Sequence, residues 1–354
     1  MDIKITKNPN PKEKPDQHNL GFGDYFTDHM FMMDYKKGKG WYDARIVPYG
    51  PVTMDPSAMV LHYAVEVFEG MKAYTCADGK IRLFRPYANA ARLNRSGERF
   101  CMPEFPEDDF VEAINALINI DRDWVPKEEG TSLYIRPFMY SDQSNVGVRL
   151  PEVFKFIVIL SPVGAYYKEG LNPVSIYVED EYVRAVKGGT GFTKCGGNYA
   201  ASLIAQKKAK ELGYTQVLWL DGAEHKYIEE VGTMNVMFKI NGEIVAPELG
   251  GSILPGITRD SALKLLKSWG YKVTERKISI DELFEAAKSG ALEEAFGTGT
   301  AAVISPIGLF NIHGQKLQVA DGHIGPVAQK LYDNITGIQW GKIADPFDWT
   351  YEIK

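Results

Sequence analysis

Cysteine is scarce: Cys76, Cys101 and Cys195 are the only three in 354 residues, and no two form a C-x-x-C pair. That excludes a disulfide framework and is the usage of a reducing compartment. Long apolar runs are missing too. The most apolar short stretches, Phe156–Leu160 and Ala301–Phe310, fall far below the roughly 20 residues of a spanning helix. The N-terminal stretch MDIKITKNPNPKEKPDQHN is polar, broken by prolines, and has no apolar signal core. A basic excess is also lacking. Lys and Arg total 40 against 46 Asp and Glu, a formal charge of -6, which argues against a nucleic-acid backbone binder. The six histidines show no H-E-x-x-H or H-x-x-x-H spacing, and no G-x-S-x-G elbow occurs, which sets aside metal and serine hydrolases. The expectation is a soluble, cytoplasmic protein with neither membrane nor nucleic acid as partner.

What is present is ordinary globular material, 45% hydrophobic and 24% charged. The chain is long enough for two or three domains and for a core that needs no metal or crosslink. Residues 1–20 read as an extended arm. Strands dominate from Trp41 to Val163. Met71–Cys76 and Lys80–Arg85 flank the hairpin signal Asp78-Gly79, and Pro86 and Pro106 open helices running to about Phe100 and Asp121. Ser132–Tyr140 and Phe154–Leu160 read as buried strands. The pattern changes near residue 170. A strand at Val174–Val178 precedes the glycine-rich stretch 187–197, a helix over Asn198–Leu212 and a strand at Gln216–Leu220. Asn241-Gly242 marks a second hairpin, a helix follows Pro255-Gly256, and Ser279-Ile-Asp-Glu282 reads as a capping box. The fold class is α+β, in two domains.

Lys194 stands in the most unusual segment, Lys187-Gly-Gly-Thr-Gly-Phe-Thr-Lys-Cys-Gly-Gly197. A lysine among glycines has three readings: a phosphate loop, though the Gly-Lys-Ser/Thr order of that motif is absent; a solvated lysine; or an amine held to form a Schiff base. Local sequence leaves these open. Gly297-Thr-Gly-Thr-Ala-Ala302 fits a dinucleotide fingerprint, but Val303, Ile304 and Pro306 predict a strand after it where that motif needs a helix. A turn presenting N–H and hydroxyl donors to an anion is the better use of it. Leu254-Pro-Gly-Ile-Thr258 opens a helix, whose N–H groups make either a phosphate seat or an ordinary start capped by Thr258. Glu229 and Glu230 precede an apolar strand. Either is ordinarily a surface residue, but one drawn inside would need a cationic partner.

Taken together, these segments resemble the branched-chain-amino-acid aminotransferases, pyridoxal-phosphate enzymes of fold type IV. The resemblance runs from Phe26-Thr-Asp-His-Met30 to about Gly341. It includes Leu61-His-Tyr-Ala-Val-Glu-Val-Phe-Glu-Gly-Met-Lys-Ala73, Ser132-Leu-Tyr-Ile-Arg-Pro137, Lys194-Cys-Gly-Gly-Asn-Tyr199, Glu230-Val-Gly-Thr-Met-Asn235 and Gly297-Thr-Gly-Thr-Ala301. It implies a small N-terminal domain (1–168), a linker (169–179) and a larger cofactor-binding domain (180–354). It implies that Lys194 bonds covalently to pyridoxal 5'-phosphate and shuttles the proton, that Glu230 faces the pyridine nitrogen, and that Tyr199 meets the phenolic oxygen. Arg92, Ile257, Thr258 and Thr300 would hold the phosphate. Phe22, Tyr63, Phe68, Tyr134, Tyr166 and Thr233 would line the substrate pocket; Thr233 and Ala301 would hold the substrate carboxylate, with Arg136 at the same end. In this reading the substrates are L-leucine, L-isoleucine or L-valine with 2-oxoglutarate, exchanged with L-glutamate and the branched 2-oxo acids. The chain would be a homodimer in which Val146 and Val148, in Ser144-Asn-Val-Gly-Val148, reach the partner's substrate; the alternative is that they pack beneath their own loop. Ala302 and Ser305 stand where mammalian members carry a C-x-x-C pair, so thiol regulation of that kind is not expected. A D-amino-acid aminotransferase or aminodeoxychorismate lyase would share Lys194 and Glu230 without the long N-terminal motifs, and a nucleotide-binding oxidoreductase would use Gly297–Ala302.

Overall fold

The structure, a computed structural model, describes residues 1–164, 171–312 and 314–354. The chain divides into two compact units. One takes Met1–Tyr166, Thr193–Gly196 and Gly337–Lys354; the other takes Tyr167–Phe192 and Gly197–Thr336.

In the first unit β1 (Lys4–Ile5), β2 (His29–Lys36), β3 (Gly40–Pro48), β4 (Glu66–Phe68), β5 (Met71–Thr75), β6 (Ile81–Phe84), β7 (Ser132–Ser141) and β8 (Val153–Val163) form one sheet with the C-terminal strand Thr350–Glu352. The order is β1-β3-β2-β8-β7-β5-β6 and then the C-terminal strand, with β4 on β7. The α-helices α1 (Met59–Tyr63), α2 (Pro86–Glu98) and α3 (Glu107–Ile120) belong here. In α3, Phe110, Ile114, Leu117 and Ile118 recur at helical spacing and are buried, while Glu107, Asp108 and Asp109 suit the positive end of its dipole. That apolar stripe shares one core with Leu133, Ile135 and Met139 of β7 and with Val67 of β4. Side chains alternate along a strand, so Tyr134 and Arg136 of β7 and Glu66 and Phe68 of β4 face the other side of the sheet.

Gly337–Lys354 lies with this unit and not, as the sequence reading had it, with the second. The reason is that Thr350–Glu352 pairs antiparallel with β6 and Ile353 enters the same core. The N-terminal arm is tied down by parallel pairing of β1 with β3 and by Asp28, which accepts the Lys12 N–H at 2.8 Å.

The second unit contains β9 (Val174–Glu179), β10 (Gln216–Leu220), β11 (Ile228–Val231), β12 (Met234–Ile240), β13 (Glu243–Pro247), β14 (Val273–Arg276), β15 (Leu292–Gly299), β16 (Val303–Ile312) and β17 (Gln315–Gln318). Their order is β11-β10-β9-β16-β15-β12-β13-β14, with β17 on β16. Because β11 also pairs with β12, six strands close into a ring without a free edge. Of the stretch 169–179 read as a linker, Val174–Glu179 is thus a strand of this ring, with Ile176 and Val178 in the core.

The helix expected over Asn198–Leu212 is broken into α4 (Gly196–Ala200) and α5 (Leu203–Glu211). Ser202 turns back at the break, its Oγ donating to the Tyr199 carbonyl at 2.7 Å. Further on lie α6 (Ile257–Ser268) and α7 (Ile280–Ser289). Ser279 accepts the Glu282 N–H at 3.1 Å, while the Glu282 carboxylate goes to Arg276 instead of returning to Ser279, so only half of the capping box forms.

Close approach requires glycine at Gly191. A Cβ there would lie 2.1 Å from the Ser252 carbonyl oxygen and 2.6 Å from Ala185 Cβ. Arg184 clamps the same contact, donating to the Ser252 carbonyl at 2.9 Å and the Gly191 carbonyl at 3.1 Å. Gly191→Ala is therefore expected to destabilise the protein by about 1–3 kcal/mol, the usual range for overpacking. A lower urea midpoint with unchanged slope checks it.

Candidate active site

In the first unit, Lys194 is gripped by its backbone. Its carbonyl accepts the Phe68 N–H at 2.9 Å, its own N–H donates to Ser96 Oγ at 3.0 Å, and the next-but-one N–H, of Gly196, donates to Glu66. The Lys194 ammonium stands 4.8 Å from the centre of the Phe68 ring. The Arg136 guanidinium lies over the same ring at 4.7 Å and over Tyr134 at 5.3 Å, donating to the Tyr134 hydroxyl at 2.8 Å. Phe22 meets Tyr134 with ring centres 5.0 Å apart. Phe22, Phe68, Tyr134, Arg136 and Lys194 therefore form one cluster. Arg136 Nε is buried in it without a hydrogen-bond partner among the described residues.

Arg92 rises from α2 and is bound bidentately by Glu69, Nε at 2.7 Å and Nη2 at 2.8 Å. Both are buried, Glu69 completely. Burial opposes ionisation of Glu69, yet Arg92, Lys194 and Asn89 together hold its carboxyl below the usual range. Tyr63 is half-exposed, and its hydroxyl donates to the Val146 carbonyl. Val146 and Val148 stand out from their loop, 70% and 82% exposed, so they do not pack beneath it. Tyr166 lies outside the described residues.

In the second unit both acids of the Glu229-Glu230 pair are buried in β11, where surface positions would have been the ordinary expectation. Glu230 has the cationic partner that burial demands: its Oε2 is 3.1 Å from Arg184 Nε, and its Oε1 accepts the Leu254 N–H at 2.8 Å. Tyr199, Thr233, Asn198 and Ser202 line the same small open cleft. Strand alternation turns Glu229 the other way, towards Ser252, whose hydroxyl donates to it. Burial and then the charge of Glu230 push the Glu229 carboxyl up, against that hydrogen bond.

The segment Leu254–Gly256 is pinned at Leu254, by Glu230 at its N–H and by Asn235, whose amide donates to its carbonyl at 2.9 Å. A Cβ on Gly256 would meet Asn235 Oδ1 at 2.0 Å. Gly256 is the N-cap of α6, and no side chain caps it. Thr258 is buried within the first turn, so the reading of Thr258 as N-cap does not hold and an anion seat remains. Thr300 and Ala301 lie in the turn from β15 to β16. A strand follows that turn, which removes the dinucleotide reading.

Four residues escaped the sequence reading: Glu69, Asn89, Ser96 and Arg184. Asn89 donates to Glu69 at 2.8 Å. For Arg184 the one available signal was the demand of a buried acid for a cation, which does not say which of the chain's arginines answers it.

A profile of the amino-transferase class IV family matches residues 66–310. Branched-chain-amino-acid aminotransferase 2 of Bacillus subtilis (strain 168) is 58% identical over 351 residues, 99% of this chain and 97% of its own. Branched-chain-amino-acid transaminase 1 of the same organism is also 58% identical, over 97% of this chain and 96% of its own. Among solved structures, the branched-chain amino acid aminotransferase of Escherichia coli superposes with a TM-score of 0.78 at 27% identity, covering 92% of this chain and 99% of that one. The T.th. branched-chain amino acid aminotransferase with pyridoxamine 5'-phosphate gives 0.76 at 27% identity, covering 91% and 98%. With that profile spanning most of its length, and the Lys194 and Glu230 segments both inside the match, the chain belongs to the class IV aminotransferases.

Proposed function

We infer that this protein is a branched-chain-amino-acid aminotransferase that works with pyridoxal 5'-phosphate. It transfers the amino group of L-leucine, L-isoleucine or L-valine to 2-oxoglutarate in a reversible ping-pong cycle. The observation that carries this reading is 58% identity with a branched-chain-amino-acid aminotransferase over nearly the whole length.

The donor sets fit the cofactor. An amine, a guanidinium, an uncapped helix start and a buried carboxylate are what an aldehyde, a phosphate and a pyridine nitrogen require. When bound, pyridoxal phosphate supplies a carbonyl to carry the amino group and a ring to accept the electron pair left when the Cα–H bond breaks. Lys194 would hold the cofactor covalently, and its amine would move the proton at the substrate Cα. Glu230, paired with Arg184, would hold the proton on the pyridine nitrogen. Tyr199 donates to the phenolic oxygen. Arg92, the Ile257 and Thr258 amides and Thr300 bind the phosphate. The Thr233 and Ala301 amides take the substrate carboxylate, with Arg136 beside it. Phe22, Tyr63, Phe68, Tyr134 and Tyr166 favour a branched aliphatic chain by apolar burial at roughly 25 cal/mol per Å².

Assembly as a homodimer is supported by an apolar surface in the first unit: Leu61, Val146, Val148 and Leu150 are all more than half exposed. Tyr63 and the bridge between Ala58 and Ser144 join that loop to the segment bearing Leu61. Val146 and Val148 then reach substrate in the partner subunit. No helix among the described residues is long and apolar enough to cross a membrane. A cytoplasmic location agrees with three free thiols.

Borohydride treatment of the purified enzyme is expected to fix a pyridoxyl group on Lys194, located by peptide mapping. A label on Lys72, whose amine burial pushes down to about 8, would overturn the assignment.

Glu230→Gln is expected to retain cofactor and lose most turnover, since a neutral amide cannot hold the pyridinium proton. Glu229→Gln should keep turnover and gain stability at neutral pH. The raised pKa of Glu229 means that the folded state resists its charge, a cost present above its folded pKa and absent below the ordinary glutamate value. The gain should accordingly fade as pH falls towards 4.5. Urea melts across pH test this, and equal loss of turnover in both variants would contradict the roles.

Val148→Asp should raise the Michaelis constant for leucine with the cofactor spectrum unchanged. In a heterodimer of Val148→Asp with Lys194→Ala chains, one site keeps Lys194 with an intact partner loop. Close to half of wild-type activity at sub-saturating leucine is expected; near-zero activity would mean that the loop serves its own subunit.

A further inference from the structure

Glu69 is the most deeply buried acid of the first unit, and no part of the mechanism above uses it. Its carboxylate accepts four hydrogen bonds: from Arg92 Nε at 2.7 Å and Nη2 at 2.8 Å, from the Asn89 amide at 2.8 Å and from the Gly70 N–H at 3.2 Å. Asn89 and Arg92 lie one turn apart on α2, so a single carboxylate at the β4–β5 corner grips one face of that helix. A guanidinium is a rigid planar fork with five N–H groups. Glu69 takes one from Nε and one from Nη2, and the other three point away from it. Fixing one edge of the fork fixes the direction of the opposite edge.

We propose that Glu69 is the positioning residue for the cofactor phosphate, aiming the outer edge of Arg92 at it; this rests on the reading of Arg92 as a phosphate ligand. The arrangement separates two effects with opposite signs. As a charge, Glu69 opposes a phosphate, because it cancels the cation nearest to it. As a bidentate acceptor, it pre-orients that cation and so removes the conformational cost of ordering a long side chain on binding, which strengthens the contact. Were charge to dominate, removing it would tighten phosphate binding; with orientation dominant, removing it weakens binding.

The test compares pyridoxal 5'-phosphate with pyridoxal, which lacks the phosphate and keeps every other contact. Cofactor is removed from the full-length enzyme, and each compound is titrated back by tryptophan fluorescence. The ratio of the two dissociation constants reports the phosphate contact alone, and a general structural defect weakens both compounds alike. Three variants are needed. Arg92→Gln should collapse the ratio. Glu69→Gln, which removes the charge and one acceptor oxygen, should lower the ratio at least tenfold. Glu69→Asp keeps the buried charge paired, and so the fold, while drawing the carboxylate back by one methylene, and it should lower the ratio in the same direction. A ratio that rises in Glu69→Gln, or stays within twofold of wild type in Glu69→Asp while Arg92→Gln collapses it, overturns the role of Glu69. A ratio unchanged in Arg92→Gln overturns the reading of Arg92 as phosphate ligand, and the proposal with it.

Discussion

Charge carried into an apolar interior has to be paired, because an unpaired ion there costs several kcal/mol. Each unit meets this constraint with a guanidinium locked to a carboxylate: Arg92 with Glu69, and Arg184 with Glu230. The surroundings follow from those pairs. In the first unit, Asn89 and the Gly70 N–H fill the remaining acceptor sites of Glu69, which joins a strand corner to a helix. In the second, the Arg184 donors left over from Glu230 go to the Ser252 and Gly191 carbonyls, which draws two loops so close that residue 191 has no room for a side chain.

Adjacent identical residues acquire opposite properties by the same physics. Glu229 and Glu230 follow each other on β11, so alternation sends them to different faces. Glu230 meets an arginine and a backbone N–H, which favour its charge. Glu229 meets a serine hydroxyl, and burial, with the charge of Glu230, favours its neutral form. Divergent environments for paired acids are what allow one to act on a proton while the other does not.

The cluster of Phe68, Tyr134 and Arg136 in the first unit owes its grouping to sheet geometry. Period-two alternation in β4 and β7 sends Val67, Leu133, Ile135 and Met139 into the helix-covered core and leaves Phe68, Tyr134 and Arg136 on the far face. Lys194 joins them because its backbone pairs with Phe68 and Ser96 and because the nearby Gly196 N–H donates to Glu66. The aromatic faces do two jobs there: they present apolar area, and they hold Arg136 and Lys194 through cation–π contacts without neutralising them.

Local periodicity and turn chemistry determined much of this protein by themselves. The helices begun by Pro86 and by Pro255-Gly256, the hairpins at Asp78-Gly79 and Asn241-Gly242, and strands β7 and β8 all follow from short-range preferences that tertiary packing reinforces. Motif order carried the family. Three features were decided only by the tertiary structure. The C-terminal strand joined the first unit because its pairing partner, β6, is 266 residues earlier at Phe84–Thr350, and no local pattern encodes a partner at that separation. The helix after Tyr199 broke because Ser202 found a backbone carbonyl to bond, a choice between near-equal local conformations. Most of all, the cationic partner of Glu230 and the anionic partner of Arg92 were invisible in one dimension. A charged residue reads the same in sequence whether it faces water or an opposite charge, and only packing decides which.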